Sequence, residues 1–372
     1  MRKRITALAL LLCLTLTACG GETDSQGQTS FLGKAAGLEE TAVLLTVDGR
    51  EVPAWRYLYW LAYTCDRIRE QYEESGMKTD WGTPLDGGTL ADYARDQALA
   101  DTVLYATVEN WAEQYGCGIT GEDQTAMEAE WKSLCARYGG EERCLGELAW
   151  MGLDREAAGA FTADYYRYGK LLELAVTPGS ELYPAEELSA FAESGDYRTV
   201  DTIFISTAGV PKDDEAALAE KRERAELALS KLESSAAPAE YFSTLAGMYS
   251  DAGREDCPEG VTFSPGDGRV SGAVERASAE LGENQWSGVV EVPGGLAILL
   301  RRPLDETAVA ADWFDSRLQQ AAVSAKVEYT HEYEEIDPAA FYAALTSARE
   351  QLDRSGATQS AFGPSDEELS AN

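Results

Sequence analysis

Apolar residues recur at helical spacing over residues 40–192 and give way to mixed strand and helix periods from about Gly195. Val-Leu-Leu-Thr-Val-Asp-Gly-Arg-Glu-Val at 43–52 reads as a strand, a turn at Asp48-Gly49 and re-entry. Pro53 opens a helix whose apolar and aromatic positions include Trp55, Tyr57, Leu58, Trp60, Leu61 and Ile68. Thr89 caps the next helix, whose apolar face runs through Leu99, Val103, Leu104, Ala106, Val108 and Trp111. Further helices start near Thr120, at Glu141 and at Asp154. They are parted by Gly116-Cys117-Gly118, Gly139-Gly140 and Gly152, and the last ends at Thr177-Pro178-Gly179.

Past Gly195, Arg-Thr-Val-Asp-Thr-Ile-Phe-Ile-Ser at 198–206 is rich in β-formers, and a charged helix over Asp213–Glu233 follows. A shorter helix spans about Ala239–Tyr249, with Phe242, Leu245 and Met248 on one side. A Gly/Pro-rich stretch over 251–272, a helix at 273–281 and a strand at 288–292 come next, before a Pro293-Gly294-Gly295 turn into a last strand at 296–300. This order predicts an α+β domain over 196–303 on a small, largely antiparallel sheet. After Pro303 the pattern is helical again, with Trp313, Phe314, Leu318 and Ala322 on one face, and then strand-like over Ala325–Tyr329. Residues 40–192 and 305–350 are expected to pack as one largely helical domain, with 196–303 inserted between them and a polar, disordered tail over 355–372.

The first 18 residues read as an export signal. Arg2, Lys3 and Arg4 precede an apolar run over Ile5–Thr17, about 20 Å as a helix and short of the roughly 20 residues a permanent span needs. Leu16-Thr17-Ala18-Cys19, followed by Gly20-Gly21, resembles the bacterial lipobox, which implies cleavage before Cys19 and lipidation of its thiol. Residues 19–39 then read as a flexible tether. The expected location is extracytoplasmic, anchored by lipid to the outer face of a bacterial cell membrane.

Charge and composition exclude several classes. A net charge of −34 repels nucleic-acid phosphates and keeps the chain soluble. The sole histidine, His331, and the absence of a CxxC pair argue against a metal site, and no cofactor is expected. No Ser-His-Asp arrangement, phosphate loop or GxSxG supports a hydrolase or kinase. Past Cys19 the cysteines are Cys65, Cys117, Cys135, Cys144 and Cys257, which leave open both a disulfide among Cys117, Cys135 and Cys144 and buried free thiols.

Three stretches carry a family likeness. Thr46-Val47-Asp48-Gly49-Arg50-Glu51-Val52 precedes the first long helix, and Tyr138-Gly139-Gly140-Glu141 leads to Leu148 and Gly152-Leu153. In the middle segment, Phe242-Ser243-Thr244-Leu245-Ala246-Gly247-Met248-Tyr249-Ser250-Asp251 is followed by Val274-Glu275-Arg276-Ala277-Ser278-Ala279-Glu280-Leu281 and by Trp286-Ser287-Gly288-Val289-Val290. Together they resemble the secreted foldase lipoproteins and periplasmic chaperones built around a parvulin-type peptidyl-prolyl isomerase domain. The likeness implies a helical chaperone domain, an inserted isomerase domain, and unfolded or Pro-containing exported polypeptides as partners. It also implies substrate contacts at Phe242, Met248, Phe263, Val274 and Ala279, with Asp251 as a catalytic candidate. Where the family carries two histidines, this chain has Thr202 and Ala297, which implies weak or absent isomerase activity. The alternatives are an active isomerase with an unusual pocket around Asp251 and Phe263, and a solute-binding lipoprotein. The aromatics Trp55, Tyr57, Tyr59, Trp60, Tyr63, Trp111, Trp131 and Trp150 are expected either to line a cradle for unfolded chains or to form core.

Overall fold

A computed structural model describes residues 31–252 and 260–355; the leader, Cys19, Cys257 and the tail lie outside them. The chain divides into two compact units. One comprises the residues up to Leu174 together with those from Asp315 onward, the other Ala175–Phe314. The fold class is α+β, with small antiparallel sheets among many helices. No helix among the described residues is long and apolar enough to cross a membrane.

The first unit opens with α1 (Phe31–Ala36), the hairpin β1 (Val43–Val47) and β2 (Arg50–Pro53), and α2 (Ala54–Glu74). Asp48 and Gly49 both take positive φ, 50° and 85°, as a tight hairpin of this twist requires. Pro53 offers no side-chain cap to α2. Instead Ala54 and Trp55 donate their N–H groups to the carbonyls of Ala42 and Glu40. A minimal hairpin, β3 (Pro84–Leu85) and β4 (Gly88–Thr89), leads into α3 (Leu90–Gln114), which Thr89 and Asp92 cap reciprocally. Then come α4 (Gly121–Arg137), capped in the same way by Thr120 and Asp123, α5 (Glu141–Met151) and α6 (Arg155–Val176). The expected tether over 19–39 is corrected at its end, because α1 is helical and Leu32 is fully buried. Gly152, at φ 80° just past α5, makes the room: a Cβ there would come within 2.4 Å of Leu32 Cγ.

The second unit contains α7 (Leu188–Ser194), β5 (Arg198–Ser206), α8 (Glu215–Glu233), α9 (Pro238–Tyr249), β6 (Val261–Phe263), α10 (Gly272–Ala279), β7 (Val290–Val292), β8 (Gly295–Arg302) and the start of α11 (Glu306–Ser324). Its limits are wider than 196–303. Leu188, Ala192 and Tyr197 form one buried cluster with Val309 and Ala310, so α7 and the first turns of α11 join this unit. Beyond α11 the chain adds β9 (Val327–Tyr329), α12 (His331–Glu334) and α13 (Pro338–Ser355) to the first unit. β9 pairs antiparallel with β1, Leu45 opposite Tyr329 and Val47 opposite Val327, to complete a sheet of order β2-β1-β9. α13 packs Phe341, Tyr342 and Leu345 into the same core as Leu32, Tyr57 and Trp60.

That core decides the role of the aromatics. Tyr57, Tyr59, Trp60 and Trp131 are at most 7% exposed. Phe161 is the hub, with ring centroids 4.8 Å from Tyr59, 5.4 Å from Trp55 and 5.5 Å from Tyr105. Trp55, Tyr63, Trp111 and Trp150 are half-buried. Four of the eight expected cradle residues are therefore core, and no aromatic cradle of that composition exists.

Charges are built into the same interior. Arg56 is ion-paired to Asp164 at 2.9 Å and donates to Glu109 at 3.2 Å, while Arg167 donates to the other Asp164 oxygen at 2.5 Å. The Arg56 guanidinium also sits 5.2 Å from the Trp55 ring centre. Burial pushes the Asp164 carboxyl up from 3.8 to about 7 despite both arginines. Elsewhere in the unit, Arg349 donates to both oxygens of Asp66 at 2.9 Å, stacks 4.2 Å from the Trp150 ring centre and donates to the Trp150 carbonyl.

Between pH 3.8 and about 7 folded Asp164 keeps a proton that the unfolded chain has lost, so its contribution to stability falls as pH rises through that window and is level above it. The unfolding free energies of wild type and Asp164→Asn, measured in urea from about pH 4 to about pH 8, should differ by an amount that changes below about pH 7; parallel profiles refute this. Replacing Arg349 by Ala leaves the Asp66 carboxylate without its cation and removes the stack on Trp150. The expected cost is about 3–5 kcal/mol by urea unfolding.

Candidate functional site

β5 is the spine of the second unit. Eight consecutive residues pair with β8, from Thr199 opposite Arg302 to Ser206 opposite Gly295. β6 pairs on the other side of β5 and β7 on the other side of β8, giving an antiparallel sheet of order β6-β5-β8-β7. The period of two sends alternate side chains to opposite faces. One face carries Ile203, Ile298 and Leu300 against Phe242, Leu245 and Ala246 of α9 and Ala228 and Leu232 of α8. The other carries Val200, Ala297 and Leu299, with Phe263 from β6, under Val274 and Ala277 of α10.

Buried polar bonds lock both layers. Arg302 is ion-paired to Asp201 at 2.8 Å and reaches α9 through Ser243 Oγ, 2.6 Å, and the Ala239 carbonyl, 3.0 Å. Arg198 donates to the Glu275 carbonyl of α10 at 3.2 Å and pairs with Asp196. Gly295 is required by close packing, because a Cβ there would meet the Ile205 carbonyl oxygen at 2.2 Å and the Phe204 ring at 2.9 Å. Gly260, at φ 108°, lets the start of β6 approach β5, where a Cβ would meet the Val200 oxygen at 2.6 Å.

The residues singled out in the sequence fall into three groups. Thr202 lies opposite Leu299, and Ala297 opposite Phe204, so Thr202 and Ala297 share the α10 face one register step apart. Phe263 and Val274 belong to this face as well. Thr202, Phe204 and Val274 are half-buried there, while Phe263, Ala297 and Leu299 are at most 1% exposed. Phe242 is fully buried on the opposite face, Met248 is 59% exposed on α9, and Ala279 is exposed at the end of α10, where Ala277 takes the position against the sheet. The five expected substrate contacts are therefore not one pocket. Burial of the opposite face accounts for Phe242, and the helical phase of α10 for Ala279.

Asp251 acts as a brace. Its N–H donates to the Phe204 carbonyl at 2.7 Å, and its carboxylate accepts from the Ser206 N–H at 2.9 Å and from Arg224 of α8 at 2.8 Å. The Phe204 N–H donates to Ser250 Oγ at 3.1 Å. Residues 250–251 are thus tied to β5 at Phe204 and Ser206. Partial burial would raise the Asp251 carboxyl, but the Ser206 amide and Arg224 outweigh it and hold the pKa below the ordinary aspartate value.

No family model matches the chain, and neither does any curated protein. Its structural neighbours are PrsA foldases and SurA-like chaperones. Among solved structures it is similar to PrsA from Bacillus subtilis, at 12% identity over 89% of this chain and 97% of that one, TM-score 0.29. The foldase protein PrsA from Streptococcus pneumoniae matches at 17% identity over 71% of this chain and 92% of that one, TM-score 0.27. A SurA-like chaperone of Campylobacter jejuni matches at 13% identity over 87% of this chain and all of that one, TM-score 0.23.

Sequence reasoning did not single out Phe204 or Leu299, which complete the face around Thr202 and Ala297. Strand parity carries the signal for Phe204, two residues after Thr202 on a half-buried strand. His331 is exposed and set against Glu335 at 3.3 Å, and no metal-holding cluster exists among the described residues. Asp251→Ala, which leaves the Ser206 amide and Arg224 without their acceptor, is expected to cost about 1–3 kcal/mol in urea unfolding; an unchanged unfolding curve means the brace carries no stability.

Proposed function

We propose that the chain is an extracytoplasmic, lipid-anchored foldase or chaperone. In this reading its middle unit binds extended or Pro-containing segments of exported polypeptides and isomerises X–Pro bonds weakly or not at all. The observation that carries the reading is the α10 face of the central sheet. Thr202 and Ala297 stand there together, at the two positions where the sequence likeness expects histidines, and Phe263, Ala297 and Leu299 are already covered.

Rotation about an X–Pro amide breaks no covalent bond but crosses a barrier of roughly 18–20 kcal/mol. A catalyst lowers it by holding the twisted amide in an apolar pocket whose polar groups favour loss of C–N double-bond character. A face whose Phe263 is fully buried and whose Phe204 is half-buried, with a hydroxyl and a methyl in place of two imidazoles, offers little of either. Asp251, engaged by Ser206 and Arg224, is poorly placed to substitute for them. The net charge of −34 favours cationic client segments and keeps the protein from lying on an anionic membrane.

The soluble chain starting at Gly20 tests the reading on a short X–Pro peptide, with aggregation of an unfolded client followed in parallel. We expect isomerisation within about twofold of the uncatalysed rate, together with suppressed aggregation. Catalysis at the rate of an active parvulin domain overturns the degenerate-site reading, and loss of both activities overturns the foldase reading. Thr202→His enters a half-buried site, whereas Ala297→His must displace packed neighbours at about 1–3 kcal/mol. The single Thr202 variant therefore accompanies the double one, and the double is expected to gain isomerase activity if it folds.

A further inference from the structure

Cys135 in the last turn of α4 and Cys144 in the first turn of α5 flank the Gly139-Gly140 turn, and both side chains belong to the one buried cluster of the first unit. The turn is held on both sides. The Gly140 N–H donates to the Cys135 carbonyl at 2.7 Å, and the Cys144 N–H to the Gly140 carbonyl at 3.2 Å. Both side chains are buried, 9% and 1% exposed. α4 buries Trp131, Leu134 and Cys135, and α5 buries Cys144 and Leu148, so two of the five buried side chains on this helix pair are the cysteines. Apolar burial on this helix pair is thin. The other described thiols have different neighbours: Cys117 donates to the Tyr115 carbonyl at 3.7 Å, and Cys65 lies beside Asp66 and Arg349.

We propose that Cys135 and Cys144 close as a structural disulfide in the exported chain and staple α4 to α5. The inference rests on the export reading, because a cytosolic thiol pool keeps such pairs reduced. Closure joins the two Sγ atoms, releases two protons and passes two electrons to a disulfide donor, which is reduced to two thiols. Burial pushes both thiols above the ordinary range, Cys144 to about 12, so the folded dithiol holds little thiolate. The bond accordingly forms while the chain is still open, and folding then shields it from reductants.

The test uses the soluble chain from Gly20, refolded with oxidised glutathione, blocked at free thiols and digested with trypsin without reduction. Cleavage after Lys132, Arg137, Arg143 and Arg155 places the cysteines in separate peptides, Ser133–Arg137 and Cys144–Arg155. We expect these two joined, and released by reductant. Reductant should also lower the Tm of the wild type by about 5 °C and leave that of the Cys135→Ser, Cys144→Ser double variant unmoved. Recovery of both peptides in the blocked form, or of either joined to another cysteine, overturns the proposal. Export is read separately, from the location of the chain in fractionated cells. A free dithiol in an exported chain therefore sinks the disulfide alone, and retention in the cytoplasm sinks the export reading.

Discussion

The register between β5 and β8 is the constraint on which the second unit depends. Eight consecutive pairs fix strand parity, and parity decides which side chains meet α9 and which meet α10. A slip of β5 by one residue would send Ile203 and Ile205 to the α10 side and carry Thr202 into the packed α9 core. The slip is opposed at both ends of the pairing. At one, Arg302 can reach Asp201, Ser243 and Ala239 together only in the observed register. At the other, Gly295 admits the Phe204 ring where any side chain would collide with it.

Buried cations set positions in both units in the same manner. Arg349 ties α13 to Asp66 on α2 and to Trp150 on α5, and Arg56 gathers Glu109 of α3 and Asp164 of α6. Each such pair gives up solvation, and good geometry recovers it. They are better read as devices for a unique arrangement than as large net sources of stability. The many acidic residues that make the chain a polyanion leave these arginines with carboxylates in reach at each buried site.

Much of this fold was legible in the chain. The Asp48-Gly49 turn, the Thr89 cap, the helix start near Thr120, the strand over 198–206 and the turn before Gly295 are local signals, and each marks an element that is present. What escaped was set by distant partners. Phe31–Ala36 looked like part of a polar tether, yet Leu32 is held by Gly152, far along the chain. Val261–Phe263 is three residues inside a Gly/Pro-rich stretch and is a strand because β5 offers an edge. The candidate site was half legible: Thr202 and Ala297 share a face, but Phe242 and Ala279 turn away from it, which a motif without a helical phase cannot reveal. Arg56 and Asp164 gave no sign of burial, since apolar periodicity does not report on charges that pair.

The pairing of β9 with β1 carries a consequence for how the molecule is made. Val327 and Tyr329 sit beside Val47 and Leu45, so the sheet of the first unit is closed by residues about 280 positions downstream. Contacts of such long sequence separation form late, since loop closure must be met before they reward it. A chain threaded through a membrane from its N-terminus would present β1, α2 and α3 well before β9 and α13 arrive. The second unit, contiguous in sequence, can complete itself meanwhile. A protein proposed to attend to other unfinished chains would then itself spend the last part of its own passage with an open sheet edge.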